Sequence, residues 1–177
     1  MAQWRNRCVS DGYEPGSTFK LITLASALDS GAVTLNDSFY CGGQEKFTGR
    51  EQILNCWKSA GHGAQTTAQA LGNSCNIAFG HIGLRMGGDT FYDYLKSFGV
   101  MEKTGVDLPG EASGLFYERK YLNDPANYGT SYLITSSFGQ SFRITPMQLV
   151  RAVAAIVNGG YVLEPYIVSE VVDADGN

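Results

Sequence analysis

Two complete helix-start signals constrain the fold of this chain more than any other feature. Thr66 is followed three residues later by Gln69, and Thr145 is followed by Pro146 and Gln148. In this capping-box pattern, the hydroxyl and amide side chains satisfy backbone N–H groups that a helix leaves unpaired at its start, and proline suits the first helical position. We therefore predict a helix beginning at each point, the second ending at the glycine pair that follows it.

Apolar runs between glycine stops predict three further helices. The first begins at about Ser17 and ends at Gly31, with apolar residues on several faces that indicate burial. The second is an apolar segment over residues 77–84 that ends at Gly87-Gly88. The third is capped by Thr90, carries one clean apolar face and ends at Gly99.

The remaining segments predict little regular structure. Residues 33–57 mix glycine with β-branched and aromatic residues, which indicates loops and short strands, and residues 100–143 are expected to be mostly irregular. Residues 161–172 alternate and are β-branched, which predicts strands, and residues 173–177 have turn composition that would lead to a partner strand. The fold class is therefore predominantly α with short β segments.

Composition excludes two classes of function. The net charge of -4 over 177 residues gives no basic surface for nucleic acid. No apolar run approaches the roughly 18 residues that a membrane span requires. A hydrophobic content of 44% instead indicates an ordinary globular domain with a sizeable core.

The four cysteines and two histidines are scattered, with no Cys-x-x-Cys pair. They lack the paired ligand spacing of ordinary zinc sites, so we predict no metal site and no cofactor. The sequence leaves open whether Cys41 and Cys56 form a disulfide that closes a short loop, because this depends on whether the domain is exported. Cys8 and Cys75 are expected to be free, buried thiols. The two histidines are His62 and His81.

Ser17 and Lys20 form a Ser-x-x-Lys pattern at the start of a predicted helix. The serine would lie near unpaired N–H groups, and the lysine would lie one turn further on the same face. A lysine desolvated by apolar neighbours loses its proton more easily and can activate a serine nucleophile. Taken alone, however, the pattern is more often a solvated lysine beside a helix-capping serine.

The residues around Ser17 and Lys20 favour a catalytic motif over a solvated lysine. The string Glu14–Lys20 (EPGSTFK) closely resembles the nucleophile motif of class B penicillin-binding proteins, and Ser74-Cys75-Asn76 resembles their second, Ser-x-Asn motif. The resemblance continues in the same order along nearly the whole chain. The further matching segments are Gly61-His62-Gly63, Lys103–Glu111, Gly139-Gln140, Thr145–Leu149 and Asn158–Tyr161.

This resemblance implies a serine D,D-transpeptidase that needs no metal or organic cofactor. It implies that Ser17 attacks the carbonyl between the two terminal D-alanines of a peptidoglycan stem peptide and that Lys20 takes its proton. Ser74 would relay a proton to the leaving D-alanine, and Asn76 would bind the substrate amide and help to hold Lys20. β-Lactams would acylate the same serine. The alternative is a β-lactam-binding sensor or a catalytically idle module of the same fold.

A second Lys-Thr-Gly pattern, Lys103-Thr104-Gly105, resembles the third catalytic motif but stands in the wrong place. It precedes the Thr145 helix and runs into a Pro109-Gly110 turn, which suits a loop rather than a substrate-binding strand. The resemblance therefore implies that the true third motif follows Asn177. The sequence departs from the family pattern at Ser141-Phe142, where relatives usually carry glycine.

Residues 1–177 are accordingly expected to be a partial transpeptidase domain, truncated at both ends. It would be the helical subdomain of the α/β serine D,D-peptidase and β-lactamase-like fold, without most of its central sheet. Exposed sheet-facing surface would then favour dimers or strand exchange. The resemblance places the parent protein at the outer face of the bacterial cytoplasmic membrane, held by an anchor outside these residues, whereas this piece is expected to be soluble.

Overall fold

The computed structural model describes residues 5–124 and 128–173. Seven α-helices and four short strands are present in these ranges, together with a 3-10 helix over Gly16–Phe19. The helices are α1 (Arg7–Ser10), α2 (Lys20–Asp29), α3 (Thr67–Gly72), α4 (Asn76–Ser97), α5 (Arg119–Leu122), α6 (Gly129–Ser136) and α7 (Pro146–Val157). The strands are β1 (Ser38–Cys41), β2 (Gln44–Glu45), β3 (Leu54–Asn55) and β4 (Gly63–Thr66).

Both capping-box predictions are confirmed. The Thr66 hydroxyl accepts the backbone N–H of Gln69, and the Gln69 side chain accepts the N–H of Thr66, at the start of α3. The same reciprocal pair forms between Thr145 and Gln148 at the start of α7, with Pro146 in the first turn. Thr145 and Gln148 are fully buried, so the second cap is also part of the core.

Helix α4 is the centre of the core and packs chiefly against α2 and α6. Its course corrects one prediction. The chain bends at Gly87, as the Gly87-Gly88 pair predicts, with a φ of 73° that a side-chain-bearing residue rarely adopts. Thr90, however, is not a cap and lies inside the second half of the helix. Phe91 and Leu95 are fully buried, as the predicted apolar face requires.

The strands form two small antiparallel ribbons. β1 pairs with β4 so that Cys41 lies opposite Gly63, and β2 pairs with β3 so that Gln44 lies opposite Asn55. This outcome confirms the prediction of loops and short strands before residue 57. The predominance of helix over strand is confirmed as well.

Two segments differ from expectation. The described part of residues 100–143 is mostly irregular, as predicted, but helix α6 within it was not foreseen; its sequence, GTSYLITS, is short and rich in hydroxyl side chains, and its helical state depends on packing against α4. Residues 161–173 form no strand, because no described segment pairs with them, and most of their side chains are exposed. The turn predicted for residues 173–177 lies almost entirely outside the described residues.

Within the described residues, no helix is both long and apolar enough to cross a membrane.

Candidate active site

Lys20 is the centre of the site. Its side chain is 1% exposed, and its Nζ lies 3.2 Å from Ser17 Oγ, 2.9 Å from Ser74 Oγ and 2.7 Å from Asn76 Oδ1. A fourth acceptor, the Ser74 carbonyl oxygen, lies at 2.8 Å. The solvated lysine considered from the sequence is therefore wrong: the structure brings the other three predicted site residues, Ser17, Ser74 and Asn76, to the Lys20 amine.

The 3-10 turn and α2 position the first two of these residues. Ser17 lies in the 3-10 turn and is exposed, whereas Lys20 begins α2 and points inward, with Nζ 5.4 Å from the centre of the Phe79 ring. An exposed hydroxyl thus stands above a buried amine. This arrangement suits an activated serine, because a base can be shielded from water while the hydroxyl stays accessible.

The turn between α3 and α4 positions the other two. Ser74 has a φ of 49°, in the left-handed region that non-glycine residues seldom occupy, and Asn76 is the first residue of α4. The strained turn directs both the carbonyl and the hydroxyl of Ser74 at Lys20. The prediction of a tight turn between helices is confirmed, and its strain is of the kind found at functional sites.

Burial sets the charge state of the amine. Desolvation lowers the pKa of Lys20 to about 8, although the nearby Cys56 and Cys75 thiols act in the opposite direction. A lysine with this pKa is neutral in roughly a tenth of molecules at pH 7, enough to serve as a general base. The ammonium has three protons for four acceptors. The longest of the four contacts is the one to Ser17 Oγ. When the amine is neutral, the direction of this hydrogen bond can reverse, so that Lys20 accepts the serine proton.

A backbone contact fixes the turn that precedes Ser17. The Gly16 N–H donates to the Gly139 carbonyl at 2.8 Å, and a Cβ on Gly139 would stand 2.1 Å from the Gly16 oxygen. The Glu14 carboxylate accepts the N–H of Ser141 at 2.9 Å. Because Gly139 has no side chain, its backbone can lie directly against that of Gly16, and it therefore supports the turn that precedes Ser17. The sequence indicated Gly139 only because Gly139-Gln140 resembles a family segment. No local pattern reveals a contact between residues so far apart in the chain.

Ser141-Phe142, the departure from the expected family pattern, has a structural account. Ser141 has a φ of 68°, a conformation that glycine adopts without strain. Phe142 is buried and packs edge-on against Phe19 and Phe116, with ring centres 4.7 and 4.9 Å away. The bulky residue at 142 thus belongs to the core behind the nucleophile turn.

The Lys103-Thr104-Gly105 triplet lies in a loop, as predicted. The Glu111 carboxylate accepts hydrogen bonds from the backbone N–H groups of Thr104 and Gly105 and from the Thr104 hydroxyl. Arg151 on α7 donates to the Thr104 carbonyl at 3.2 Å. These contacts occupy the backbone N–H groups of Thr104 and Gly105 and the Thr104 hydroxyl.

The cysteines answer one question that the sequence left open and correct one prediction. All four are free thiols in the structure, with no Cys41–Cys56 disulfide, and Cys8 is exposed instead of buried. Three of them converge with a histidine despite their unpaired spacing: Cys41, Cys56, His62 and Cys75 place their ligand atoms within 4.8 Å of one another. His81 lies elsewhere and contacts Glu45 at 2.9 Å.

Comparisons with known proteins identify the family of this chain. Residues 1–177 match the penicillin binding protein transpeptidase domain. The chain is 44% identical over 170 residues to stage V sporulation protein D of Bacillus subtilis, covering 96% of this chain and 25% of the relative. It is 33% identical over 165 residues to the peptidoglycan D,D-transpeptidase MrdA of Acinetobacter baumannii, covering 92% and 25%.

A solved structure shows the same fold. Penicillin binding protein 3 of Mycobacterium tuberculosis, in complex with aztreonam, superimposes with a TM-score of 0.84 at 28% identity, covering 97% of this chain and 37% of that one. The chain thus spans about a quarter of the length of the curated relatives it matches. With its serine, lysine and Ser-x-Asn turn gathered at one buried amine, the chain belongs to the penicillin-binding protein transpeptidase domain family.

Proposed function

We propose that this chain carries the acylation residues of a serine D,D-transpeptidase that cross-links peptidoglycan stem peptides. The observation that supports this most is the buried Lys20 amine, within 3.2 Å of Ser17 Oγ and 2.9 Å of Ser74 Oγ. One amine that contacts both hydroxyls can take a proton from the nucleophile and return it through the second hydroxyl.

The reaction would begin when neutral Lys20 takes the Ser17 proton. Ser17 Oγ then attacks the carbonyl carbon between the terminal D-alanines, and the backbone N–H of Ser17 stabilises the resulting oxyanion. The amide C–N bond breaks as a proton passes from Lys20 through Ser74 to the leaving amine, which gives free D-alanine and a serine ester. The amine of a second stem peptide attacks that ester, forms the cross-link and releases Ser17.

Asn76 has two parts in this scheme. Its Oδ1 holds Lys20 at 2.7 Å, which leaves the amide NH₂ group available to donate to a substrate carbonyl. β-Lactams would acylate Ser17 in place of the stem peptide, as expected for relatives of a protein solved with aztreonam. The parent protein would act at the outer face of the cytoplasmic membrane, where these substrates are found.

A second proposal concerns the chain by itself. No described residue supplies a Lys-Thr-Gly strand beside Ser17, since the Thr104 triplet is bound to Glu111. We expect a second oxyanion donor to come from such a strand, and losing one donor typically slows acylation about a hundred- to a thousandfold. The isolated chain should therefore react slowly with penicillin.

Fluorescent penicillin labelling tests both proposals. The full-length parent should acquire label at Ser17, a Ser17→Ala variant should acquire none, and Lys103→Ala should label normally. Failure of the parent to label would reject the enzymatic proposal and favour the idle-module alternative. If the parent labels but does not cross-link stem peptides, the protein is a β-lactam-binding sensor. Rapid labelling of the 177-residue chain would refute the need for a further strand.

A further inference from the structure

Four metal-ligating side chains meet beside the second motif. The Sγ atoms of Cys56 and Cys75 are 4.0 Å apart, and Cys56 Sγ is 3.7 Å from Nδ1 of His62. Cys41 Sγ completes the group, and all four ligand atoms lie within 4.8 Å of one another. A tetrahedral zinc ion with Zn–S bonds of about 2.3 Å holds its sulfur ligands about 3.8 Å apart. The observed spacing needs only a small contraction to reach that geometry.

The backbone holds these ligands together. The β1–β4 register places Cys41 opposite Gly63, next to His62. The N–H of Cys56 donates to the Gly43 carbonyl at 2.8 Å, which brings the third segment to the same point. Gly61 permits this approach, since a Cβ there would stand 2.2 Å from the Cys41 oxygen.

The fourth ligand comes from the helix that carries the second motif. Cys75 is the N-cap of α4, and its sulfur accepts the N–H of Ala78 at 3.5 Å. The cluster therefore combines two ribbon segments, the loop before β4 and the start of α4.

The cluster is unusual because three buried free thiols and an imidazole converge on one point. Cys41, Cys56 and Cys75 are each at most 6% exposed, and none forms a disulfide. Nδ1 of His62 faces Cys56, whereas its Nε2 is buried without a hydrogen-bond partner among the described residues. These groups gain little from one another, because thiols are weak donors and acceptors.

We propose that Cys41, Cys56, His62 and Cys75 form a structural zinc site. Three thiolates and one imidazole are the ligand types that select Zn²⁺ in a tetrahedral site. Four protein ligands leave no open position, which distinguishes a structural ion from a catalytic one. Binding would release the thiol protons and would join the two ribbons to the turn that carries Ser74 and Asn76.

A Cys56–Cys75 disulfide is the competing explanation, and it fits less well. A disulfide requires sulfurs about 2.05 Å apart, so one sulfur would have to move about 2 Å toward the other. It would also leave Cys41 and His62 converging on the pair without a function. A metal ion uses all four side chains.

Metal analysis of the 177-residue chain tests the proposal. The chain, purified under reducing conditions and dialysed, should retain about one zinc per molecule by inductively coupled plasma mass spectrometry. Cobalt(II) should replace zinc and give the intense absorption of tetrahedral thiolate coordination. Cys41→Ser and His62→Ala should each weaken zinc binding at least tenfold. Cys8→Ser is the matched control, because Cys8 is exposed and outside the cluster, and it should bind like the original chain.

Folding is followed in the same samples by circular dichroism. A chelator should lower the melting temperature of the original chain and of Cys8→Ser, whereas Cys41→Ser should melt at one temperature with or without chelator. Zinc below about a tenth of an equivalent would overturn the proposal. So would equal zinc content in Cys8→Ser and Cys41→Ser, or a Cys56–Cys75 disulfide in the reduced, zinc-treated chain by peptide mass spectrometry.

Discussion

Substitution of Gly139 by alanine tests how the nucleophile turn is held. Gly139 has a φ of 83°, and its added Cβ would stand 2.1 Å from the Gly16 oxygen, a contact that real Cβ atoms essentially never make. The left-handed backbone costs an alanine roughly 1–2 kcal/mol. Relief of the clash also requires a shift of about 1 Å, which breaks the Gly16–Gly139 hydrogen bond and loses about 0.5–1.5 kcal/mol more. We expect a total loss of about 2–3 kcal/mol.

Gly31 provides the matched control. It has a φ of 72° at the end of α2, and an added Cβ would meet nothing within 4 Å. Gly31→Ala therefore bears only the backbone cost, roughly 1 kcal/mol after the entropy lost by the unfolded chain is counted. Urea unfolding of the 177-residue chain should show Gly139→Ala losing at least about 1 kcal/mol more than Gly31→Ala, by comparison of midpoints at a common slope.

The same pair separates stability from activity. Ser17 directly follows Gly16, so a shift of about 1 Å in this turn displaces the nucleophile from Lys20 and should slow acylation of the full-length parent about a hundredfold. Gly31→Ala should leave the rate of penicillin labelling unchanged. Equal stability losses in the two variants, or an unchanged labelling rate in Gly139→Ala, would refute the close-approach explanation.

Three further predictions follow from the site and its supports. Ser141→Gly should raise the unfolding free energy by about 0.5–1 kcal/mol in urea melts, because it relieves a φ of 68°; a loss of stability would show that the serine side chain matters more than the strain. Thr145→Ala should cost about 2 kcal/mol by the same measurement, more than Thr66→Ala, because its capping box is fully buried; equal costs would contradict this. Penicillin acylation of the full-length parent should quicken as pH rises through about 8, where Lys20 loses its proton, and then level off; stopped-flow rates that stay flat between about pH 6 and 9 would exclude Lys20 as the base.

The features that the sequence predicted correctly depend on neighbouring residues. The caps at Thr66 and Thr145 pair with side chains three residues away, so their chemistry is complete within one turn of helix. Ser17 and Lys20 lie three residues apart, and the start of a helix is enough to bring their side chains together. The helix end at Gly99 was also predicted correctly, because a helix commonly ends at a residue with a left-handed φ, here 66°, which suits glycine.

The predictions that failed depended on distant partners. The alternating pattern of residues 161–172 satisfies the local requirement for a strand, but a strand is stable only beside another, and no described segment pairs with it. The described part of residues 100–143 is mostly irregular, as predicted, but helix α6 within it was missed, because it carries weak local signals and becomes helical against α4. In both cases, the interaction that decides the structure involves residues far from the segment along the chain, so the local sequence pattern does not contain it.

The sequence by itself therefore determined the close contact between Ser17 and Lys20 and the capped helices, because each is specified within a few residues. Only the tertiary structure decided that Lys20 would meet Ser74 across 54 residues and become buried enough to lose its proton near pH 8. It alone brought Cys41 and Cys75 to the same cluster, through strand register and the close approach of two loops. Such contacts arise when the whole core packs, so residue spacing along the chain does not reveal them.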